Sequence, residues 1–128
     1  MKNINEKLLE AVRLNEIEEV KKLIEKGADV NVVNKYGETA LHEASFWGCS
    51  EIVKMLIEAG ANVNVVDEYG ETALYVASNW GRIDVVEMLI EAGADVNVVD
   101  EDGRTALYWA SQEGYSEIVK MLEEAGAK

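Results

Sequence analysis

Two side chains in this sequence could act as a base or a nucleophile near neutral pH, His42 and Cys49. Tyr75 and Tyr108 stand at the positions that match His42 in two similar segments, and a tyrosine can keep a hydrogen bond but cannot replace an imidazole base. Cys49 lies near a predicted helix N-terminus, which can lower a thiol pKa, but no second histidine is present to activate it. We therefore predict a structural hydrogen bond for His42, no chemical role for Cys49, and no enzymatic activity.

Carboxylates are the other candidates for chemistry, because the chain has 25 Asp and Glu residues. The segment DVNVVDEDG, from Asp95 to Gly103, has the acidic character of a calcium loop. However, its fifth and sixth positions are Val99 and Asp100, where such a loop needs a ligand and a glycine. Neither a Cys/His cluster for zinc nor a glycine-rich phosphate loop occurs. We expect no metal and no cofactor, and we expect the carboxylates to lie on solvated helix faces and turn tips.

The overall charge narrows the choice of partner. The formal net charge is −13, and a surface this acidic repels nucleic acid and anionic lipid. Hydrophobic residues make up 48% of the chain, yet no apolar run approaches the roughly 20 residues of a membrane-spanning helix. We expect neither a nucleic-acid partner nor a membrane partner. The single cysteine and the absence of an apolar leader favour a cytoplasmic location for a natural protein, and they leave the location of an engineered one open.

The elements that position these residues come from an internal repeat of 33 residues. Residues 34–66 and 67–99 agree at 22 of 33 positions. Residues 100–128 continue the pattern, and residues 1–33 fit it loosely. A period of this length is typical of stacked units that cannot bury their apolar faces alone. We predict one continuous domain of four units, with residues 1–33 and 100–128 as the capping repeats.

Each unit reads as turn, helix, turn, helix and loop. Threonines follow the YG or DG turn signals and are predicted helix N-caps, at Thr39, Thr72 and Thr105. Glycines end the first helix, and Asn15 takes that place in the opening unit. The second helix, near residues 51–59, is apolar around most of its surface, which is typical of a helix between neighbours.

These motifs support a family assignment. The pattern G-x-T-A-L-H-x-A-x-x-x-G, followed by IVKMLIEAGANVNVV, resembles the ankyrin repeat, and the resemblance covers essentially the whole chain. It implies an all-α solenoid of stacked helix-turn-helix units joined by β-turn loops. The family's Thr-Pro-Leu-His motif has alanine for proline here, at Ala40, Ala73 and Ala106. Alanine also suits a first helical turn, and its uniform use indicates an idealised or engineered sequence.

The terminal units have polar residues where the inner units have apolar ones. Glu19 and Lys22 replace the counterparts of Ile52 and Met55, and Glu123 replaces the counterpart of Ile57. Terminal repeats need a polar outer face because nothing stacks on it. We therefore expect a complete domain with a cap at each end.

Function is expected where the units differ and the fold does not require a particular residue. On a helix that buries Ala40, Leu41 and Ala44, Phe46 points nearly opposite the buried face and Trp47 lies at its margin. The resemblance implies that these slots and the turn tips line a concave binding face. On this chain the implied face comprises Lys35, Tyr36, Glu38, Phe46, Trp47, Glu68, Tyr69, Glu71, Asn79, Trp80, Glu101, Asp102, Arg104, Gln112 and Glu113.

Several interpretations of this face remain open. The leading one is a non-enzymatic module that binds a protein, with a basic rim favoured by the surrounding acidic charge. Alternatives are a designed scaffold without a natural partner and a homo-oligomer that assembles through the aromatic patch. The sequence also leaves open whether Trp47 and Trp80 bind a partner or pack against each other between units.

Overall fold

A computed structural model describes residues 1–128 and contains eight helices in four antiparallel pairs. The predicted all-α class is confirmed. The one element of β structure is an isolated bridge between Val33 and Thr39. Each pair lies within one of the four predicted segments, although the segment boundaries themselves stay a prediction. The helices are α1 Ile4–Arg13, α2 Ile17–Glu25, α3 Ala40–Trp47, α4 Ser50–Glu58, α5 Ala73–Asn79, α6 Ile83–Glu91, α7 Ala106–Gln112 and α8 Ser116–Glu124.

The predicted helix ends are confirmed. The hydroxyls of Thr39, Thr72 and Thr105 each accept a hydrogen bond from the amide three residues later, which satisfies one of the donors left free at a helix start. Gly48 ends α3 in the left-handed conformation, at φ 70°. Asn15 adopts the same region at φ 56° and is the one non-glycine residue that does so.

The turns at the start of each unit are built by the side chain of the unit's first residue. Asn34 Oδ1 accepts hydrogen bonds from the amides two and four residues later, and Asp67 and Asp100 repeat this arrangement. Consecutive turns are also joined through the backbone, because the Glu68 amide donates to the Tyr36 carbonyl. The turn tips therefore form a continuous row along the stack.

The loops at the opposite end of the units are linked by a ladder of asparagines. The side chains of Asn31, Asn64 and Asn97 each accept a hydrogen bond from a backbone amide 31 residues later. The repeated ADVNVV motif is therefore explained by contacts between neighbouring units.

One apolar core runs through the whole stack. Leu8, Leu41, Leu74, Leu56 and Leu89 are fully or almost fully buried. The second helices are packed between neighbours, as their composition predicted, although the α4 helix begins one residue earlier than expected. Glu19, Lys22 and Glu123 are exposed on the two terminal units. No helix is long and apolar enough to cross a membrane.

The stack is curved. The first helices of neighbouring units, α3 and α5 for example, lie in closer contact than the second helices α4 and α6 do. Closer spacing on one side makes that side concave. The first helices and the row of turn tips therefore share the concave side of the molecule.

Candidate partner-binding surface

Three aromatic side chains meet where α3 and α5 end. The ring of Phe46 packs edge-on against Trp47, with ring centroids 4.8 Å apart, and edge-on against Trp80, at 5.0 Å. Trp47 remains 52% exposed and Trp80 50% exposed. We call these three residues the aromatic trio. Large rings that are fixed by packing and half open to water are well suited to an interface because little conformational entropy is lost on binding.

The structure corrects one expectation about the trio and bears on one question that the sequence left open. Helical phase predicted Phe46 as the side chain farthest from the core and Trp47 at the margin, yet Phe46 is partly buried and Trp47 is the more exposed. The reason is that α3 has neighbours on several sides, so helical phase within one helix does not define its solvent face. The two tryptophans do not pack on each other either, because Phe46 lies between them.

A groove of about 370 Å³ lies beside the trio, between the first helices and the turn tips. We call it the central groove. No lysine or arginine lines it. It contains predicted site residues from two units together with residues that were not predicted, and its lining comprises Glu38, His42, Glu43, Phe46, Asp67, Tyr69, Glu71, Val76 and Trp80.

Two carboxylates that line this groove are less solvated than the sequence-based expectation, because Asp67 is buried and Glu71 is partly buried. Asp67 is only 7% exposed. Its Oδ1 accepts hydrogen bonds from the amides of Tyr69 and Glu71, each at 2.9 Å. Burial raises the pKa of Glu71 to about 7, and the nearby negative charges of Asp67 and Asp100 add to the shift. Neither carboxylate has a basic side chain in ion-pair contact, since Lys2 and Glu10 form the one ion pair in the chain.

A hydrogen-bonded network joins the third unit, which contains Tyr75, to the fourth. The hydroxyl of Tyr75 donates to Asp100 Oδ2 and accepts from the indole Nε1 of Trp109. Burial raises the pKa of Tyr75, and its hydrogen bond to Asp100 acts in the same direction. Desolvation opposes ionisation of Asp100, but the hydrogen bonds from Tyr75 and from two backbone amides outweigh it and lower the pKa of Asp100. The network holds Trp109 in place.

Cation–aromatic pairs lie at the two ends of the turn row. The Lys35 ammonium is 5.1 Å from the centre of the Tyr36 ring, beside a second groove of about 660 Å³ lined by residues of the first two units. At the other end, the Arg104 guanidinium lies 5.3 Å from the ring of Tyr108 and 5.4 Å from that of Trp109. Both basic residues are exposed.

The predicted site residues are thus only partly gathered into grooves. Glu38, Phe46, Tyr69, Glu71 and Trp80 line the central groove. Lys35 and Tyr36 line the groove of the first units. Trp47 belongs to the aromatic trio, and Arg104 lies against the rings of Tyr108 and Trp109 at the far end of the turn row. The remaining predicted residues line neither groove, and they are Glu68, Asn79, Glu101, Asp102, Gln112 and Glu113.

The structural role predicted for His42 is confirmed. Its Nδ1 accepts a hydrogen bond from the Thr39 amide, so the protonated Nε2 donates to the Glu71 carbonyl of the next unit at 2.8 Å. Cys49 is the N-cap residue of α4, but burial raises the pKa of its thiol and the opposing charge of Arg82 is the smaller effect. This thiol is not activated.

Sequence reasoning missed one slot of the first helix. Glu43, Val76 and Trp109 occupy equivalent positions in consecutive units. Glu43 and Val76 line the central groove, and Trp109 is partly buried beside Arg104. The three residues differ in charge, size and polarity, and that variation between units was the available signal.

The geometry defines a class of protein, the curved solenoid of repeated helix pairs with grooves on its concave side. A family model described as ankyrin repeats (3 copies) matches residues 8–100 and 66–128. The chain therefore belongs to the ankyrin repeat family. Ankyrin repeats are generally protein-interaction modules. No curated protein gives a significant match to this chain.

Proposed function

We propose that this chain is a protein-binding module without catalytic activity, and that its concave side forms the contact. The observation that carries the proposal is the aromatic trio beside the central groove. Phe46 holds the exposed rings of Trp47 and Trp80 in fixed positions next to an apolar and acidic depression. Fixed aromatic anchors next to a pocket are the usual centre of a protein interface.

The charge pattern favours a basic partner. The net charge is −13, and carboxylates without a neighbouring cation line the central groove. A basic partner would be attracted to this surface over a distance, and it would neutralise charge that the free protein leaves unpaired. Nucleic acid and anionic membranes would be repelled by the same field.

A selection experiment tests the proposal with a library of random peptides in place of the partner. Peptides displayed on phage are selected against the full chain, and a photo-reactive phenylalanine analogue then replaces either Tyr69 on the concave side or Glu58 on the outer side. We expect the selected peptides to be rich in lysine and arginine and to cross-link from position 69. Cross-linking from position 58 alone would contradict a concave contact.

The peptide selection and light scattering of the full chain distinguish the two alternative hypotheses, a scaffold without a partner and a homo-oligomer. A designed scaffold without a partner would yield no peptide that binds with an affinity above that of the unselected library. Self-assembly through the aromatic trio would appear in light scattering as a mass that rises with concentration and falls on Trp47→Ala. We expect a monomer, because the acidic surface opposes close approach of two copies.

A further inference from the structure

The first and fifth residues of each repeat, Asn34 and Glu38 for example, lie opposite each other across the turn. The types of these two residues, and the contacts they make, differ among the three turns. In the first turn, the Asn34 amide Nδ2 donates to Glu38 Oε1 at 2.9 Å. In the third turn, Asp100 is opposite Arg104, whose charge helps to lower the pKa of Asp100. In the middle turn, neither a side-chain hydrogen bond between the two residues nor a cation offsets the negative charge of this pair.

Two acids, Asp67 and Glu71, occupy these positions in the middle turn. The Oδ1 atom of Asp67 accepts two backbone amides, but its Oδ2 atom accepts no hydrogen bond, although the residue is more than nine-tenths buried. In the third turn the corresponding Oδ2, that of Asp100, accepts from Tyr75. The side chain of Glu71 accepts no hydrogen bond within the chain either. The buried polar side-chain atoms that lack a partner are the hydroxyls of Ser45 and Ser78, so Asp67 Oδ2 and the partly buried Glu71 carboxylate are open to water or to a bound donor.

Both acids line the central groove, whose other walls include Phe46, Tyr69 and Trp80. The lining of the groove therefore combines negatively charged and aromatic side chains. An arginine guanidinium matches this combination because it is planar, donates several hydrogen bonds to carboxylates and stacks on aromatic rings. A lysine ammonium is a strongly hydrated point charge and fits less well. No group of three or more His, Cys, Asp or Glu side chains gathers there to hold a metal ion.

We propose that Asp67 and Glu71 form a subsite for an arginine side chain of the bound protein. This inference rests on the proposed function and names the chemistry of the partner at that site. The arginine would supply the missing donors to Asp67 Oδ2 and to the Glu71 carboxylate, as Tyr75 and Arg104 act on Asp100. The aromatic trio would hold apolar residues beside it.

The test is an NMR titration of the full chain with N-acetyl-arginine amide at pH 8 and constant ionic strength. The neutral isostere N-acetyl-citrulline amide is the matched probe. We expect saturable shifts for the amide of Glu71 and the indole of Trp80 with the arginine probe, and an affinity at least tenfold weaker for the citrulline probe.

Two variants remove the subsite without removing the fold. Asp67→Asn copies Asn34, which keeps both turn hydrogen bonds, and Glu71→Gln keeps the shape of its side chain. Each variant should weaken binding of the arginine probe at least tenfold. The double variant Glu58→Gln/Glu91→Gln removes two charges from exposed positions on the second helices and should leave the affinity unchanged.

The proposal is overturned if the shifts do not saturate, if Asp67→Asn binds the probe as tightly as the parent chain, or if N-acetyl-lysine amide or Ca²⁺ binds as well as the arginine probe. These outcomes leave the proposed function intact when selected peptides still cross-link from position 69. Failure of the cross-linking together with successful binding of the arginine probe would instead overturn the concave protein contact and would leave an arginine site that no bound protein fills.

Discussion

The layer of second helices and the row of turns differ in how closely the fold constrains their side chains, although both are repeated. Leu56 and Leu89 occupy the same slot of consecutive units and are both fully buried. The paired turn positions, in contrast, hold Asn and Glu, then Asp and Glu, then Asp and Arg. In all three turns the amide of the fifth residue donates a hydrogen bond to Oδ1 of the first residue. The difference shows that the fold constrains the core side chains closely. In the turns it requires the Oδ1 acceptor of the first residue, whereas the other side-chain atoms of the first and fifth residues vary.

The largest expected effect concerns the helix layer. Leu56→Ala removes a fully buried side chain from between neighbouring units and should lower the free energy of unfolding by ~2–5 kcal/mol. Urea unfolding followed by circular dichroism measures this loss. Glu58→Ala, on the exposed side of the same helix, should have almost no effect. A loss below about 1 kcal/mol for Leu56→Ala would mean that the helices stack in a different register.

A smaller effect is expected where the turn row is joined to the helices. Tyr75→Phe removes the hydroxyl that bridges Asp100 and Trp109 and should cost roughly 1–3 kcal/mol, because both partners lose a hydrogen bond. Tyr108→Phe is the matched control, since the Tyr108 hydroxyl makes no hydrogen bond within the chain. Equal stability of the two variants would show that the bridge contributes nothing to the linkage between units.

The smallest expected effect on stability depends on pH and concerns Glu71 in the middle turn. The pKa of Glu71 is about 7 in the folded chain against an ordinary value of 4.5, so the folded state holds its proton more tightly. The stability that Glu71 contributes is therefore present below about pH 4.5 and is lost as pH rises through 7. Glu71→Gln should stabilise the chain at pH 8 by on the order of 1 kcal/mol after solvent screening, with little effect near pH 4.

Denaturation midpoints at several pH values measure this difference. Glu91→Gln removes the same charge from an exposed helix position and should show no comparable pH dependence. A Glu71→Gln variant that is less stable than the parent chain at pH 8 would contradict this prediction. It would mean that a group within the folded chain stabilises the ionised Glu71 carboxylate.

The sequence predicted the helices, their caps and the core because these features repeat. Thr39 as a cap and Leu41 in the core follow from local rules that apply within one unit. The environment of Asp67 did not follow from such rules. It depends on which residues from α3 and from the neighbouring turns approach the carboxylate, and replacing Asn by Asp at that turn position is a small change in the sequence.

Trp109 was missed for a different reason. It occupies a slot filled by Glu43 and Val76 in the preceding units, and no common residue type marks that slot as part of the surface. Its placement depends on Tyr75, which lies 34 residues earlier in the chain. Phe46 and Trp47 were recognised as surface candidates, but the order of their exposure was wrong because packing between units decides it.

The central claim is that the concave side, and the aromatic trio in particular, binds the partner. The most direct measurement is the affinity of a selected peptide for Phe46→Ala and Trp47→Ala, compared with Glu58→Ala and Glu91→Ala, by calorimetry. We predict at least a tenfold loss for the two aromatic variants, with unchanged helical circular dichroism, because a few aromatic anchors of about 2 kcal/mol or more dominate such interfaces. The two glutamate variants should bind normally. Binding that survives loss of Phe46 and Trp47 but falls with the glutamate changes would place the partner on the convex side and contradict this account.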